Sequence, residues 1–171
     1  IKSTAVLWPN NPGFDPAVRP PLPSNEVKTN WGDLQVQKRA AGTSGAQGTL
    51  NGAAFEAYNA VAPYAASCTG AVQTGSAITV NGATQFTSAG TGLITIPGLF
   101  VSDSENPVVN ALQRCYVLKE VAAPTGFVLP TNPYTAVTVK IDSTTIADNV
   151  QISNTQQEVP ELPLTGAAGQ V

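Results

Sequence analysis

The sequence predicts an all-β fold, a β-sandwich. Three observations carry this: apolar and polar residues alternate over short runs, turn signals separate those runs, and only one segment has a helical pattern. Hydrophobic residues make up 42% of the 171 residues and charged residues only 11%, against roughly 25% in an average soluble domain. That supplies a sizeable core for one domain with tails to spare.

Residues 1–30 read as the end of a preceding domain followed by a linker. Ser3 to Trp8 is either one closing strand or a disordered stub, and Pro9, Pro12, Pro16, Pro20, Pro21 and Pro23 then exclude regular helix and central strand. The domain itself is expected over residues 31–157. Leu34, Val36 and Lys38 alternate with Asp33, Gln35 and Gln37 as its first strand. Asn51-Gly52 introduces a second run from Ala53 to Tyr58. Ile78 to Phe86 reads as a hairpin, because Asn81-Gly82 supplies the positive φ angles of a type I′ turn. Leu93 to Ile96 is a further strand, closed by Pro97-Gly98, and Tyr116–Val121, Thr135–Ile141 and Asn149–Asn154 complete the set. The one segment with a helical pattern is Pro107 to Arg114, with proline early and Val108, Val109, Ala111 and Leu112 as a short apolar face. Residues 158–171 hold two prolines, Pro160 and Pro163, and no alternation, so an extended, exposed tail is expected there.

Composition excludes much chemistry. The chain has no His, so Ser/His/Asp and Cys/His nucleophilic machinery and His-bearing zinc sites cannot be built from it. Its two cysteines cannot form a four-thiolate site, and no cofactor motif stands out. Eight Lys and Arg against eleven Asp and Glu provide neither a nucleic-acid footprint nor a polybasic membrane patch. No run approaches the roughly 18 apolar residues of a membrane span, and no signal peptide is seen. Those absences, with the lack of Met, lead us to expect a mature product or an excised part of a longer precursor. Cys68 and Cys115 read as a disulfide in an oxidising compartment, with two free buried thiols as the alternative.

Three polar residues fall where alternation predicts core. Lys38 shares a face with Leu34 and Val36, Glu120 with Tyr116 and Leu118, and Asn154 with Val150 and Ile152. Burying such groups without partners costs several kcal/mol, and one covalent explanation covers all three. A desolvated Lys38 loses its proton and becomes a nucleophile. A buried Glu120 keeps its proton and polarises the Asn154 amide. Attack on that amide releases ammonia and leaves an isopeptide cross-link, with proximity supplying most of the acceleration. Ordinary readings stand beside this one. Lys38 can reach solvent beside Arg39, Glu120 can be a surface charge next to Lys119, and Asn154 can end a strand. Alternation also leaves Lys119 and Glu120 as rivals for the inward position, since Val117 and Val121 flank the other face.

Gly32 to Lys38, Leu50 to Tyr58, Tyr116-Val117-Leu118-Lys119-Glu120-Val121-Ala122-Ala123-Pro124-Thr125-Gly126-Phe127 and Val150 to Thr155 together resemble the CNA-B (SpaA-type) domain family of Gram-positive pilins and adhesin stalks. The third segment is the most specific, being similar to the pilin E-box. The resemblance implies a reverse immunoglobulin-like sandwich, a bond-forming Lys38, an acceptor Asn154 and a catalytic Glu120. It also marks Leu99 to Arg114 as an inserted loop, ending at Cys115 and pinned by the disulfide to the loop carrying Cys68.

Leu162-Pro163-Leu164-Thr165-Gly166 fits the LPxTG sorting pattern. Behind such a domain it implies cleavage between Thr165 and Gly166 by a pilin-specific sortase. The acyl group would then pass to a lysine of a neighbouring pilin or to a cell-wall peptide. Val6 to Asn11 is only faintly like a pilin motif and has Asn where the acceptor Lys would stand, so no acceptor lysine is assigned. The expected role is structural: the C-terminal domain of a pilus shaft subunit, secreted to the cell wall and not an enzyme. The alternative is a wall-anchored adhesin or its stalk binding a host-surface ligand, with Leu99 to Arg114 as the candidate surface. A hydrolase has little support, as no carboxylate pair stands out and His is absent.

Overall fold

The computed structural model describes residues 1–7, 22–105, 110–142, 144–145 and 151–159. Among these residues thirteen strands follow in chain order: β1 (Lys2–Ser3), β2 (Val6–Leu7), β3 (Leu22–Pro23), β4 (Val27–Ala40), β5 (Ala54–Ala60), β6 (Gln73–Thr74) and β7 (Phe86–Thr87). The rest are β8 (Leu93–Asp103), β9 (Gln113–Ala122), β10 (Phe127–Val128), β11 (Tyr134–Lys140), β12 (Thr144–Thr145) and β13 (Gln151–Gln156). The long ones form two facing sheets. In one, β8 lies antiparallel along one edge of β4, while β1, β12 and β13 line its other edge in turn and β10 extends β13. In the other, the order is β11-β9-β5-β6, with β7 also on β5. The small β2-β3 pair stands apart.

Alternation decides what lies between the sheets. Leu34 and Val36 from β4, Phe55 and Ala57 from β5, Leu118 from β9 and Val139 from β11 are all fully buried there. Strand β8 shows how one irregularity keeps the core continuous. Ile94 and Ile96 point inward, but past Pro97 the inward residues are Leu99 and Val101. The parity changes because Pro97 and Gly98 together oppose the single residue Asp33, a β-bulge. Gly98 adopts φ 68°, a conformation that suits glycine, and its N–H donates to Asp33 Oδ1 at 2.8 Å.

This bulge corrects two expectations. Pro97-Gly98 does not close the strand; it re-phases it, and β8 runs on to Asp103. Much of the expected inserted loop is therefore sheet, with Leu99–Asp103 in β8 and Gln113–Arg114 in β9. The expected helix is not seen in its described part either. Asn110 is in a turn with φ 52° and Gln113 begins a strand, while Pro107, Val108 and Val109 lie outside the described residues. The hairpin at Ile78–Phe86 is reduced to its turn. Asn81 and Gly82 have φ 50° and 80°, and Val80 and Ala83 exchange two 2.9 Å hydrogen bonds, as a type I′ turn requires. Beyond it, Phe86 pairs with Phe55 of β5 instead of continuing a ladder of its own. Ser3 to Trp8 divides into two short strands, with Trp8 outside the described residues along with Pro9, Pro12, Pro16, Pro20 and Pro21.

Cys68 and Cys115 are bonded. With Ala60 and Val117 they form a second, smaller apolar cluster on the far face of β9. A bridge spanning 47 residues limits the unfolded chain by about 4 kcal/mol in the chain-entropy account.

Gly32 of β4 packs against the backbone of β11. A Cβ there would overlap the Lys140 main-chain carbonyl oxygen and stand 2.9 Å from Val139 Cγ1. Backbone cannot yield as a flexible side chain can, so Gly32→Ala is expected to destabilise the domain by about 1–3 kcal/mol. Urea denaturation checks this, and an unchanged midpoint contradicts it.

Candidate functional site

The inward face of β4 continues past Leu34 and Val36 to Lys38, which is fully buried. Its main chain is held on both sides: the amide donates to Gly92 O at 2.8 Å, and the carbonyl accepts from Leu50 N at 3.0 Å. Asn51 braces that loop, donating to Gly90 O and accepting from Gly92 N, each at 2.9 Å. Beside it runs β13, parallel to β4, with Ile152 opposite Lys38 and Asn154 opposite Ala40. The period of two places Ile152 and Asn154 on the same inward face, 7% and 1% exposed. From the facing sheet, β9 brings Glu120 at 1% exposure. Lys38, Glu120 and Asn154 thus meet between the sheets.

The rivals to these positions resolve. Lys119 turns outward, its ammonium 5.7 Å from the Tyr134 ring centre, and Glu120 turns in. Lys38 does not reach solvent beside Arg39. Arg39 is itself mostly buried and donates to the main-chain carbonyls of Gly45 and Gln47. Asn154 lies within β13 and does not end it.

The three polar groups are only partly satisfied. Lys38 Nζ donates to Ile152 O at 2.9 Å, and Asn154 Nδ2 donates to Val128 O at 2.8 Å. Both carboxyl oxygens of Glu120 and Oδ1 of Asn154 are buried without a hydrogen-bond partner among the described residues. Acceptor oxygens left over on both side chains in one apolar site are reconciled by a single proton on Glu120, which turns the carboxyl into a donor. The electrostatics favour that state. Burial holds Glu120 above the usual carboxylate range, opposed by the Lys38 charge and by the nearby Asn154 amide. Burial also lowers Lys38 from 10.5 to about 8, against the pull of Glu120. An apolar surround therefore drives acid and amine alike toward their neutral forms.

Two participants escape any side-chain pattern, the main-chain carbonyls of Ile152 and Val128. They orient the amine and the amide, and only the register of β13 with its neighbours β4 and β10 sets them there. Leu162, Pro163, Leu164, Thr165 and Gly166 lie outside the described residues, as does Val150. Glu158 and Val159, just before that motif, are exposed and outside any strand.

No protein-family model matches the chain. It is 40% identical over 167 residues to a protein described as fimbrial subunit type 2 of Actinomyces naeslundii, covering 94% of this chain and 30% of that protein. Among solved structures it is similar to the Actinomyces fimbrial adhesin FimA, with TM-score 0.65 and 37% identity over 87% of this chain and 49% of that one. It is also similar to the full-length major pilin SpaD of Corynebacterium diphtheriae, with TM-score 0.62 and 28% identity over 81% of this chain and 34% of that one. The chain spans under a third of the length of the curated relative it matches. It is homologous to part of these fimbrial and pilin proteins and shares their two-sheet β-sandwich.

The buried amine and acid set a pH signature for Asn154→Ala, in which both stay free. Lys38 has a lowered folded pKa, so between about 8 and 10.5 the unfolded chain binds the extra proton and stability rises with pH. Glu120 has a raised one, so above 4.5 the unfolded chain releases its proton first and stability falls as pH rises. The variant should show a stability trough between the two windows, read by urea denaturation across pH. Adding Lys38→Met should remove the alkaline limb, and an alkaline limb that survives this change contradicts the assignment.

Proposed function

We propose that the chain is the C-terminal domain of a pilus shaft subunit, hardened by an internal Lys38–Asn154 isopeptide bond and joined to the next unit through Thr165. The observation that carries this reading is the burial of Lys38, Glu120 and Asn154 in one apolar site, in a chain homologous to part of a fimbrial subunit. The sandwich is of the CNA-B kind in this reading.

The chemistry balances with no other reactant. Neutral Lys38 Nζ attacks Asn154 Cγ while protonated Glu120 donates to Oδ1, where negative charge develops. Collapse breaks the Cγ–Nδ2 bond. The proton shed by the amine passes through the Glu120 carboxyl to Nδ2, which leaves as ammonia. One C–N bond forms and one breaks, and Glu120 ends as it began. The event happens once per molecule, so the protein is no enzyme.

Topology gives the bond a mechanical purpose. Strands β4 and β13 are parallel neighbours, so tension applied at the start of one and the end of the other shears them apart. A bond from Lys38 to Asn154 takes that load covalently and leaves the chain between them unstressed. The exposed Glu158 and Val159 lead to Leu162–Gly166, where a sortase would cleave after Thr165. It would carry the acyl group as a thioester to a lysine amine of a neighbouring pilin or to a cell-wall peptide. The location is then the pilus surface of the cell wall.

A second reading, a wall-anchored adhesin or stalk, draws on the 37% identity to a fimbrial adhesin. Heat- and detergent-resistant ladders in wall extracts support the shaft, and monomers alone support the adhesin. For the cross-link, intact wild-type mass should be lighter than the sequence mass by one ammonia beyond the disulfide hydrogens. Glu120→Ala should regain that ammonia and lose about 5 kcal/mol, the chain-entropy value for a loop of roughly 100 residues. A wild-type mass without the deficit sinks the cross-link.

A further inference from the structure

Beside the β8 bulge a groove of about 330 Å³ is lined by residues of that strand, of β9 and of the turn at Asn81, with Arg114 in its wall. The volume is in the range of small-molecule sites. The guanidinium is held rigidly: its carbon lies 5.3 Å from the Tyr64 ring centre, 5.5 Å from Phe100 and 5.4 Å from Tyr116. It donates to Tyr64 OH at 2.9 Å and to Asn59 Oδ1 at 3.2 Å. Among the described residues it has no carboxylate partner, and its Nε is buried without a hydrogen bond. Burial pushes the Tyr116 hydroxyl up to about 12, so no phenolate neutralises the charge at neutral pH. Three rings offset part of the desolvation of this cation, and an anion is what the arrangement lacks.

The other walls indicate which anion. Trp31, 39% exposed, borders the groove and meets Phe100 edge-on at 5.6 Å. Thr79 and the exposed Asn81 also line it and provide a hydroxyl and an amide. An exposed aromatic surface, neutral donors and acceptors, and one planar cation match a ring with C–H faces, hydroxyls and a carboxylate. We propose that this groove binds a single acidic sugar ring of the uronate or N-acylneuraminate class. The carboxylate lies on Arg114, the ring stacks on Trp31, and the hydroxyls reach Asn81 and Thr79. The site is separate from Lys38 and needs no cross-link, so it holds whether or not the shaft reading does. Leu99, Phe100 and Arg114 of its lining belong to the stretch from Leu99 to Arg114 read from the sequence as a candidate ligand surface.

The test is an NMR titration of the whole chain with the methyl glycosides of glucuronic acid and N-acetylneuraminic acid. The methyl glycoside of glucose and N-acetylglutamate methylamide serve as comparators. At least one acidic sugar should shift the Arg114 Nε–H and Trp31 indole signals. Both comparators should bind at least about tenfold more weakly, the scale of one charge-assisted hydrogen bond or one stacked ring. Trp31→Ala should weaken the acidic sugar by a similar factor and leave the disulfide cluster signals in place. Arg114→Lys tests the planar fork, and should it fail to fold, Trp31→Ala stands alone. Three results overturn the proposal: no shift at millimolar sugar, equal binding of the neutral glycoside, or equal binding of the capped glutamate. The last would make the groove a peptide-carboxylate site.

Discussion

The constraint on which this domain turns is the burial of an amine, a carboxyl and an amide against a core built chiefly of aliphatic and aromatic side chains. Lys38 is among the largest fully buried side chains of the molecule. Left ionised and unpaired, such groups would cost much of a domain's marginal stability. They are tolerable if the medium neutralises acid and base, and more so if the amine and amide become one covalent bond. The bracing of Lys38 by Gly92, Leu50 and Asn51 then has a clear purpose. It fixes the backbone so that a flexible side chain presents one atom to one target.

The two sheets divide the labour. The β4–β13 pair contributes the atoms that would be joined, while β9 on the opposing sheet contributes the acid. Neither sheet alone holds all three groups, so the proposed chemistry requires the assembled sandwich. This couples any bond to correct folding, and the disulfide acts elsewhere, on the far face of β9. Cys115 and Val117 point that way while Tyr116, Leu118 and Glu120 point into the main core. One strand thus serves two apolar clusters, which is why both of its faces read as hydrophobic.

That double burial explains where the sequence was legible and where it was not. Lys38 could be placed inward because Asp33 and Gln35 on the other face of β4 are polar and partly exposed. Glu120 could not be separated from Lys119 by pattern alone, since Val117 is as buried as Leu118. Only the pairing with β5 and β11 decides it. Pro97-Gly98 has the composition of a strand end, and nothing local reveals that Asp33 will accept the Gly98 amide and carry the strand onward. The Ile152 and Val128 carbonyls were invisible for a simpler reason: every residue has one. Turn chemistry, set by two adjacent residues, was read correctly at Asn81-Gly82, whereas the ladder beyond it depended on a distant strand.

Whether Lys38 and Asn154 become one covalent unit is decided by tandem mass spectrometry of a digest of the reduced protein. The expected product is a branched peptide in which the Lys38 and Asn154 segments are joined through their side chains and fragment as a single species. Separate linear peptides, each with the mass of an unmodified Lys38 or Asn154, would contradict it.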